Sequence, residues 1–395
     1  MSSLLIKNVL LDGKKTDILI EGNRFRNLAA PAGTVADKVI EAEGMAILPP
    51  FYNTHTHAAM SLLRGYADDM PLQKWLNEYI WPFENKMTAA DIREGSRLAV
   101  REMIRTGTVF FSDMYFDIEE TIRVVQEYGI RAAIGVTFVE SHTKSQQAEK
   151  LEMLRSWGRP ADDLVTLTVA PHAIYTVGPE LLVRCAETAR ELGFKLHIHL
   201  SETKTEVDDC IRDHGTTPVR YLDSLGVLGD NVIAAHVVHV DEEEAALLAS
   251  RGVTVSHCPC SNMKLASGVF PYKLLHDAGC RIALGTDGDS SNNNLDMREE
   301  MKFAALLAKV SSGDPEILPA DEALAMATRN GAEAFGIDAG VIAEGKLADA
   351  LLIDLNDERM QPLHSLTSNW VYAAGSSCID TVICNGKIVM KHRQL

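Results

Sequence analysis

Residues 50–57 read Pro-Phe-Tyr-Asn-Thr-His-Thr-His and close a longer β-rich run, MAILPPFYNTHTH, that begins at Met45. Side chains alternate across a strand, so residues two apart point the same way. His55 and His57 therefore present two imidazoles to one spot, as the ligands of a metal ion do. What remains to be read is the architecture that brings further groups to that spot.

Outward from this run, residues 48–345 alternate apolar, β-branched runs with helix-like segments. The strand-like runs are MAILPPFYNTHTH, GTVFFSDM, RAAIGVTF, LVTLTVAPH, KLHIHL, VIAAH, VTVSH and RIALGTD. Between them, stretches such as AADIREGSRLAVREMIRTG and PELLVRCAETARELG carry helical spacing and stop at glycine. Eight strands alternating with helices predict an α/β fold, a parallel (β/α)8 TIM-type barrel. The chain ends read differently. SLLIKNVLL, TDILIEGNRFRNL and KVIEA at one end, and ADALLIDLN and TVICNGKIVMK at the other, are short strands with turn residues between them. Asn385-Gly386 between two apolar runs signals a hairpin. The expectation is a small β-sandwich formed by both ends, residues 1–47 and 346–395, flanking a barrel over residues 48–345.

Active sites of such barrels lie at the C-terminal ends of the strands. His55 and His57 end the first strand, His172 the fourth, His199 the fifth, His236 the sixth, and Asp287 the eighth. Two histidines on one strand face, a third from across the barrel and a carboxylate make a nitrogen and oxygen shell suited to Zn²⁺, with Fe²⁺ or Mn²⁺ as alternatives. Such a set leaves a position open for water.

Composition removes several function classes. The formal net charge of −17 would repel a phosphate backbone, so nucleic acid is not an expected partner. No apolar run approaches the ~18 residues of a membrane span, and the start of the sequence lacks the pattern of a secretory signal. Seven cysteines with no CxxC pair read as reduced thiols, and the cytoplasm is the expected compartment. Cys258 and Cys260 lack the spacing of a structural zinc site. A homo-oligomer remains open.

The stretches NTHTHAAMSLLRGYADDMPLQKWL, APHAIY, HIHLSET, AHVVHV, SHCPCSNMKLASG and LGTDGDSSNNNLDM together resemble the amidohydrolase superfamily. Within it they are similar to the 5′-methylthioadenosine/S-adenosylhomocysteine deaminases and their triazine-chlorohydrolase relatives, over nearly the whole chain. The resemblance implies one divalent metal ion held by His55, His57, His199 and Asp287. Many binuclear relatives bridge two metals with a carboxylated lysine from the fourth strand; LVTLTVAPHAIY has no lysine, which implies a mononuclear site.

By the same resemblance Glu202, three residues after His199, carries a proton from the attacking water to a ring nitrogen, which makes an aromatic C–NH₂ carbon electrophilic. His236 hydrogen-bonds the attacking oxygen or the tetrahedral centre, and Asp287 also passes a proton to departing ammonia. Glu84 matches a glutamate that accepts hydrogen bonds from the two ribose hydroxyls, and His172 a histidine that reaches the purine. His197 reads as a residue behind the ligands, His239 as a loop residue, and Asp68 and Asp69 as pins for their loop. S-adenosylhomocysteine would need cations for its carboxylate. Arg131 stands at the start of the third strand and Val136 where an arginine could have stood, which leaves Lys144 and Lys150. The expected activity is hydrolytic deamination of 6-aminopurine nucleosides. Its alternatives are deamination or dechlorination of another amino-heterocycle, such as a guanine derivative or triazine, and a non-catalytic binding protein on the same scaffold.

Overall fold

The computed structural model describes residues 2–158 and 164–395. Five strands open the chain: β1 (Ser3–Leu11), β2 (Lys14–Glu21), β3 (Arg24–Asn27), β4 (Lys38–Glu41) and β5 (Met45–Leu48). Eight follow at longer intervals: β6 (Phe51–Thr56), β7 (Thr108–Tyr115), β8 (Arg131–Phe138), β9 (Val165–Pro171), β10 (Lys195–Leu200), β11 (Val232–His236), β12 (Thr254–His257) and β13 (Arg281–Leu284). Three end it: β14 (Ala350–Asp354), β15 (Ile379–Cys384) and β16 (Lys387–Met390).

Strands β6 to β13 form one parallel sheet in chain order, with helices between successive strands, as the alternating pattern predicted. The sheet closes on itself through side-chain and backbone hydrogen bonds at the seam between β13 and β6. Thr54 Oγ1 donates to the Leu284 carbonyl at 2.8 Å, the Asp287 N–H donates to the His55 carbonyl at 3.0 Å, and Asn53 Nδ2 donates to Thr286 Oγ1 at 2.7 Å. Gly285 permits this closeness, since a Cβ there would lie 2.8 Å from Ser256 Oγ and 2.9 Å from His55 Cβ.

The two chain ends share one hydrogen-bonded sheet in the order β16-β15-β14-β5-β1-β2-β3, with β4 branching from β1. Leu4–Lys7 pairs with β4 while Leu10 pairs with Ala46 of β5, and the sheet wraps a core of its own around Ile6, Ile18, Ile20, Ile40 and Leu352. The run MAILPPFYNTHTH is therefore two strands. Pro49 and Pro50 bring no N–H to a ladder, and the chain passes there from the end sheet to the barrel. Within the C-terminal part, the helix Leu366–Tyr372 also packs on the barrel, stacking the buried Trp370 on Phe51 with ring centroids 5.9 Å apart.

A buried polar latch ties the end sheet to the bottom of the barrel. Arg131 Nη1 lies 3.1 Å from Asp349 Oδ1, Tyr52 Oη donates to Asp349 Oδ2 at 2.6 Å, and Arg131 Nη2 donates to Asn385 Oδ1 at 2.8 Å. No helix among the described residues is long and apolar enough to cross a membrane.

Candidate metal and catalytic site

Each of the three candidate ligand histidines is held by its Nδ1, which leaves its Nε2 for the centre. His57 Nδ1 donates to the Met114 carbonyl at 2.6 Å and His199 Nδ1 to the His172 carbonyl at 2.7 Å, while His55 Nδ1 meets His197 Nε2 at 2.9 Å. The three Nε2 atoms converge. His57 and His199 stand 3.3 Å apart through them, and Asp287 Oδ1 lies 3.4 Å from His55 Nε2 and 3.3 Å from His57 Nε2. Two atoms each ~2.1 Å from an ion and set at a tetrahedral angle are ~3.4 Å apart. His55 Nε2 is buried and makes no hydrogen bond, as expected of an atom aimed at an ion.

Asp287 supplies the anion. Its Oδ2 accepts from Ser261 Oγ at 2.6 Å and Ser291 Oγ at 2.9 Å, and its Oδ1 accepts from the Gly288 N–H at 2.8 Å. Burial favours the neutral acid here, yet the contacts from His55 and His57 hold the carboxyl well below the usual carboxylate range. Burial pushes His55 down to about 4, and it also opposes charge on His57, which Asp287 nevertheless holds up to about 9. The set of three imidazoles and a carboxylate fits a divalent cation, and these donors do not by themselves choose between Zn²⁺ and its neighbours.

Beside this cluster, His236 Nδ1 meets Asn262 Oδ1 at 2.9 Å, and its Nε2 lies 3.8 Å from Glu202 Oε2. The other oxygen of Glu202 accepts from Ser267 Oγ at 3.2 Å. Burial is the largest influence on Glu202 and raises its carboxyl above the ordinary value. His236 at φ 71° and Asp287 at φ 60° adopt left-handed backbone, the kind of local strain that concentrates at working sites.

One cavity opens above these groups, lined by His57, His199, Glu202, His236 and Asp287 on its floor. Glu84 and His172 are on its walls, so all of the site residues expected from the sequence are brought together around one centre. Glu84 accepts from Tyr115 Oη at 2.6 Å, and His172 Nδ1 meets Thr176 Oγ1 at 2.9 Å while burial pushes its ring down to about 3. The segment over the cavity is helical from Leu72 to Glu84, with a π turn at Leu76–Ile80 in which the Trp81 N–H reaches the Leu76 carbonyl. This five-residue step keeps Leu72, Leu76, Trp81 and Glu84 on the cavity face, a phase that 3.6-residue spacing does not reveal.

His197 lies behind the ligands as expected, and it orients His55. His239 Nε2 bonds the Ser267 carbonyl at 2.6 Å between two loops, and Asp68 accepts from Lys264 Nζ at 2.5 Å, which pins its loop. Of the two expected cations, Lys150 lines the cavity, whereas Lys144 is exposed on the first turn of the helix Lys144–Ser156; Arg131, at the strand start, belongs to the latch below. Sequence reading missed Asn262, Ser261, Ser267 and Tyr115. Ser261, Asn262 and Ser267 lie within the stretch SHCPCSNMKLASG, but nothing in their spacing indicates their partners, because their contacts, like that of Tyr115, join segments far apart in the chain.

The chain is similar to known proteins over nearly its whole length. A 5-methylthioadenosine/S-adenosylhomocysteine deaminase of Pelotomaculum thermopropionicum is 47% identical over 96% of this chain and 89% of its own length. A 5′-deoxyadenosine deaminase of Methanospirillum hungatei is 46% identical over 100% of this chain and 90% of its own. Among solved structures, an adenosine deaminase from Xanthomonas campestris with bound zinc superimposes with a TM-score of 0.92 at 34% identity, over 100% of this chain and 94% of that one. The sequence profile of the Amidohydrolase family covers residues 46–389, both the whole barrel and the strands that close it below, and the chain belongs to that family.

Proposed function

We propose that this protein is a metal-dependent hydrolytic deaminase that converts the adenine of a 5′-modified adenosine to hypoxanthine and releases ammonia. The observation that carries the reading is the position of Glu202 and His236 beside the convergent Nε2 atoms, under a cavity whose wall presents Glu84. The relatives named as 5′-methylthioadenosine, S-adenosylhomocysteine and 5′-deoxyadenosine deaminases support it.

A single divalent ion, zinc by preference, would be held by His55, His57, His199 and Asp287, and when bound it supplies the Lewis acidity that makes hydroxide available at neutral pH. Glu202 takes the proton of the attacking water and delivers it to N1 of the purine, so that C6 accepts the oxygen. His236 Nε2 faces the oxygen as the tetrahedral centre forms. Asp287 receives the remaining hydroxyl proton and passes it to the amino group as the C6–N bond breaks, leaving the carbonyl of hypoxanthine and free ammonia. His172 orients the purine, and Trp75, Trp81 and Leu265 line the cavity with apolar surface that excludes bulk water.

Glu84, fixed by Tyr115, supplies the acceptors for the ribose diol, which favours a nucleoside over a free base or a triazine. Lys150 is the one expected cation on the cavity wall, a point charge without a guanidinium fork. The free thiols fit a reducing cytoplasm. The test is the loss of adenine absorbance measured in parallel for adenosine, 5′-methylthioadenosine, 5′-deoxyadenosine and S-adenosylhomocysteine, with guanine and a chlorotriazine as controls. The expected result is turnover of the nucleosides, with the small uncharged 5′ groups ahead of the homocysteine compound. Turnover of the controls alone would overturn the reading.

A further inference from the structure

Behind Glu202 is a second buried carboxylate that the reaction described above does not use. Glu206 is 5% exposed and belongs to the helix Lys204–His214, whose N-cap is Thr203. In the sequence Thr203-x-x-Glu206 is the pattern of a capping box, in which the glutamate side chain returns to the N–H of the capping residue. Only half of that box forms. The Glu206 N–H donates to Thr203 Oγ1 at 3.1 Å, but the side chain bypasses Thr203 and reaches further back. Its Oε1 accepts the Ser201 N–H at 2.9 Å, and its Oε2 accepts the Glu202 N–H at 2.7 Å.

The turn so gripped is strained and shared. Ser201 is fully buried at φ 49°, a left-handed backbone uncommon for serine, and two clamped amides hold it there. Its carbonyl accepts the N–H groups of Val238 and His239, both at 3.0 Å, from the loop that follows His236. One carboxylate therefore fixes the peptide that carries Glu202 and, through the same residue, the loop beside His236. Burial dominates its environment and pushes the Glu206 carboxyl up to about 7, a cost that a helix cap on the surface would not incur.

We propose that Glu206 is a positioning residue that sets the Glu202 carboxyl against His236, with an effect on the rate that is transmitted through Glu202. The proposal rests on Glu202 being the proton carrier. Glu206→Gln keeps the shape but offers one acceptor oxygen to two N–H groups, so one amide loses its partner and the turn relaxes.

The experiment is steady-state kinetics on 5′-methylthioadenosine for E206Q, E202Q and E206Q/E202Q, each with its metal content. For E206Q, kcat should fall about 10- to 100-fold, the scale of a small misplacement of a reacting group, with KM within about threefold of wild type and metal content unchanged. In the E202Q background the same change should cost less than about twofold, because the group it positions is already gone. Should E206Q fail to fold, E206D, which keeps the charge but cannot span both amides, takes its place in the cycle. A folded, metal-loaded Glu206 variant with wild-type kcat overturns the proposal, as does a full further loss in the double variant. Wild-type kcat in E202Q alone would instead remove the role of Glu202, a result distinguishable because it appears before Glu206 is touched.

Discussion

His55 Nδ1 lies 2.9 Å from His197 Nε2, and His197 Nδ1 lies 3.1 Å from Ser112 Oγ, which makes a buried chain of three groups leading away from the ligand cluster. A ligand His55 must keep its proton on Nδ1, so His197 accepts at Nε2 and donates from Nδ1 to the serine. The tautomer of each ring is fixed by the next.

From this chain follows a loss of metal affinity in His197→Phe, which fills the same space without an acceptor. Removing such a partner lowers affinity about 10- to 100-fold. Competition against a chelator of known affinity measures it, and unchanged affinity would show that His197 only packs.

Glu202→Gln should lower kcat by about 10²- to 10⁴-fold, the range for a positioned proton carrier, with one metal still bound per chain. Kinetics combined with elemental analysis decides the matter. Loss of the metal would make Glu202 a ligand, and two tightly bound metals in the wild type would sink the mononuclear reading.

Glu84→Ala should weaken kcat/KM for nucleosides by about 1.5–3 kcal/mol, as for a hydrogen bond to a charged group. Wild-type enzyme should process 2′- or 3′-deoxynucleosides poorly, and the variant should lose much of that preference, since either change breaks the same contact. Strict additivity would place Glu84 away from the sugar. Tyr115→Phe, which frees the Glu84 carboxylate, should show the same trend more weakly.

At the bottom of the barrel, Asp349→Ala should destabilise the fold by about 3–5 kcal/mol, because it leaves Arg131 buried without its counter-charge. Denaturant unfolding measures this. Activity at 25 °C should survive in the folded fraction, since the latch lies at the opposite end of the barrel from the ligands.

Glu300 gives stability a pH dependence. It is fully buried, accepts from the Cys260 N–H at 3.0 Å and Asn292 Nδ2 at 2.6 Å, and burial pushes its carboxyl from 4.5 up to about 8. The folded state therefore binds a proton that the unfolded chain has already released. The contribution is fully present below pH ~4.5 and is lost as pH rises through about 8. Glu300→Gln should flatten that part of the profile in unfolding experiments at stepped pH; an unchanged slope would assign the proton elsewhere.

The barrel was legible because its strands are apolar, β-branched runs separated by helical stretches, and five of them carry or lead into a polar residue of the candidate site. KLHIHL and VIAAH match β10 and β11 residue for residue. The first run misled only at Pro49-Pro50, where apolar pattern continues but the ladder cannot. The cluster was legible because strand alternation and strand ends fix the direction of its histidines and of Asp287, while the choice of His199 as the third candidate ligand came from the family resemblance. The supports of these residues were not. Asn262 reaches His236 and Ser267 reaches Glu202 across different loops, and Thr203-x-x-Glu206 reads as a helix cap although its carboxylate serves the turn before it.

The pairing of β5 with β14, Leu48 against Leu351, has a consequence for biosynthesis. The whole barrel separates these strands in sequence, so on the ribosome β5 emerges first and waits for its partner until the barrel strands have been made. Until then β5 presents an unpaired edge, Arg131 lacks its counter-charge and Tyr52 lacks its hydrogen-bond acceptor. The end sheet therefore cannot complete its pairing before the barrel between its two halves has been made, which ties the closing of that sheet to the folding of the barrel.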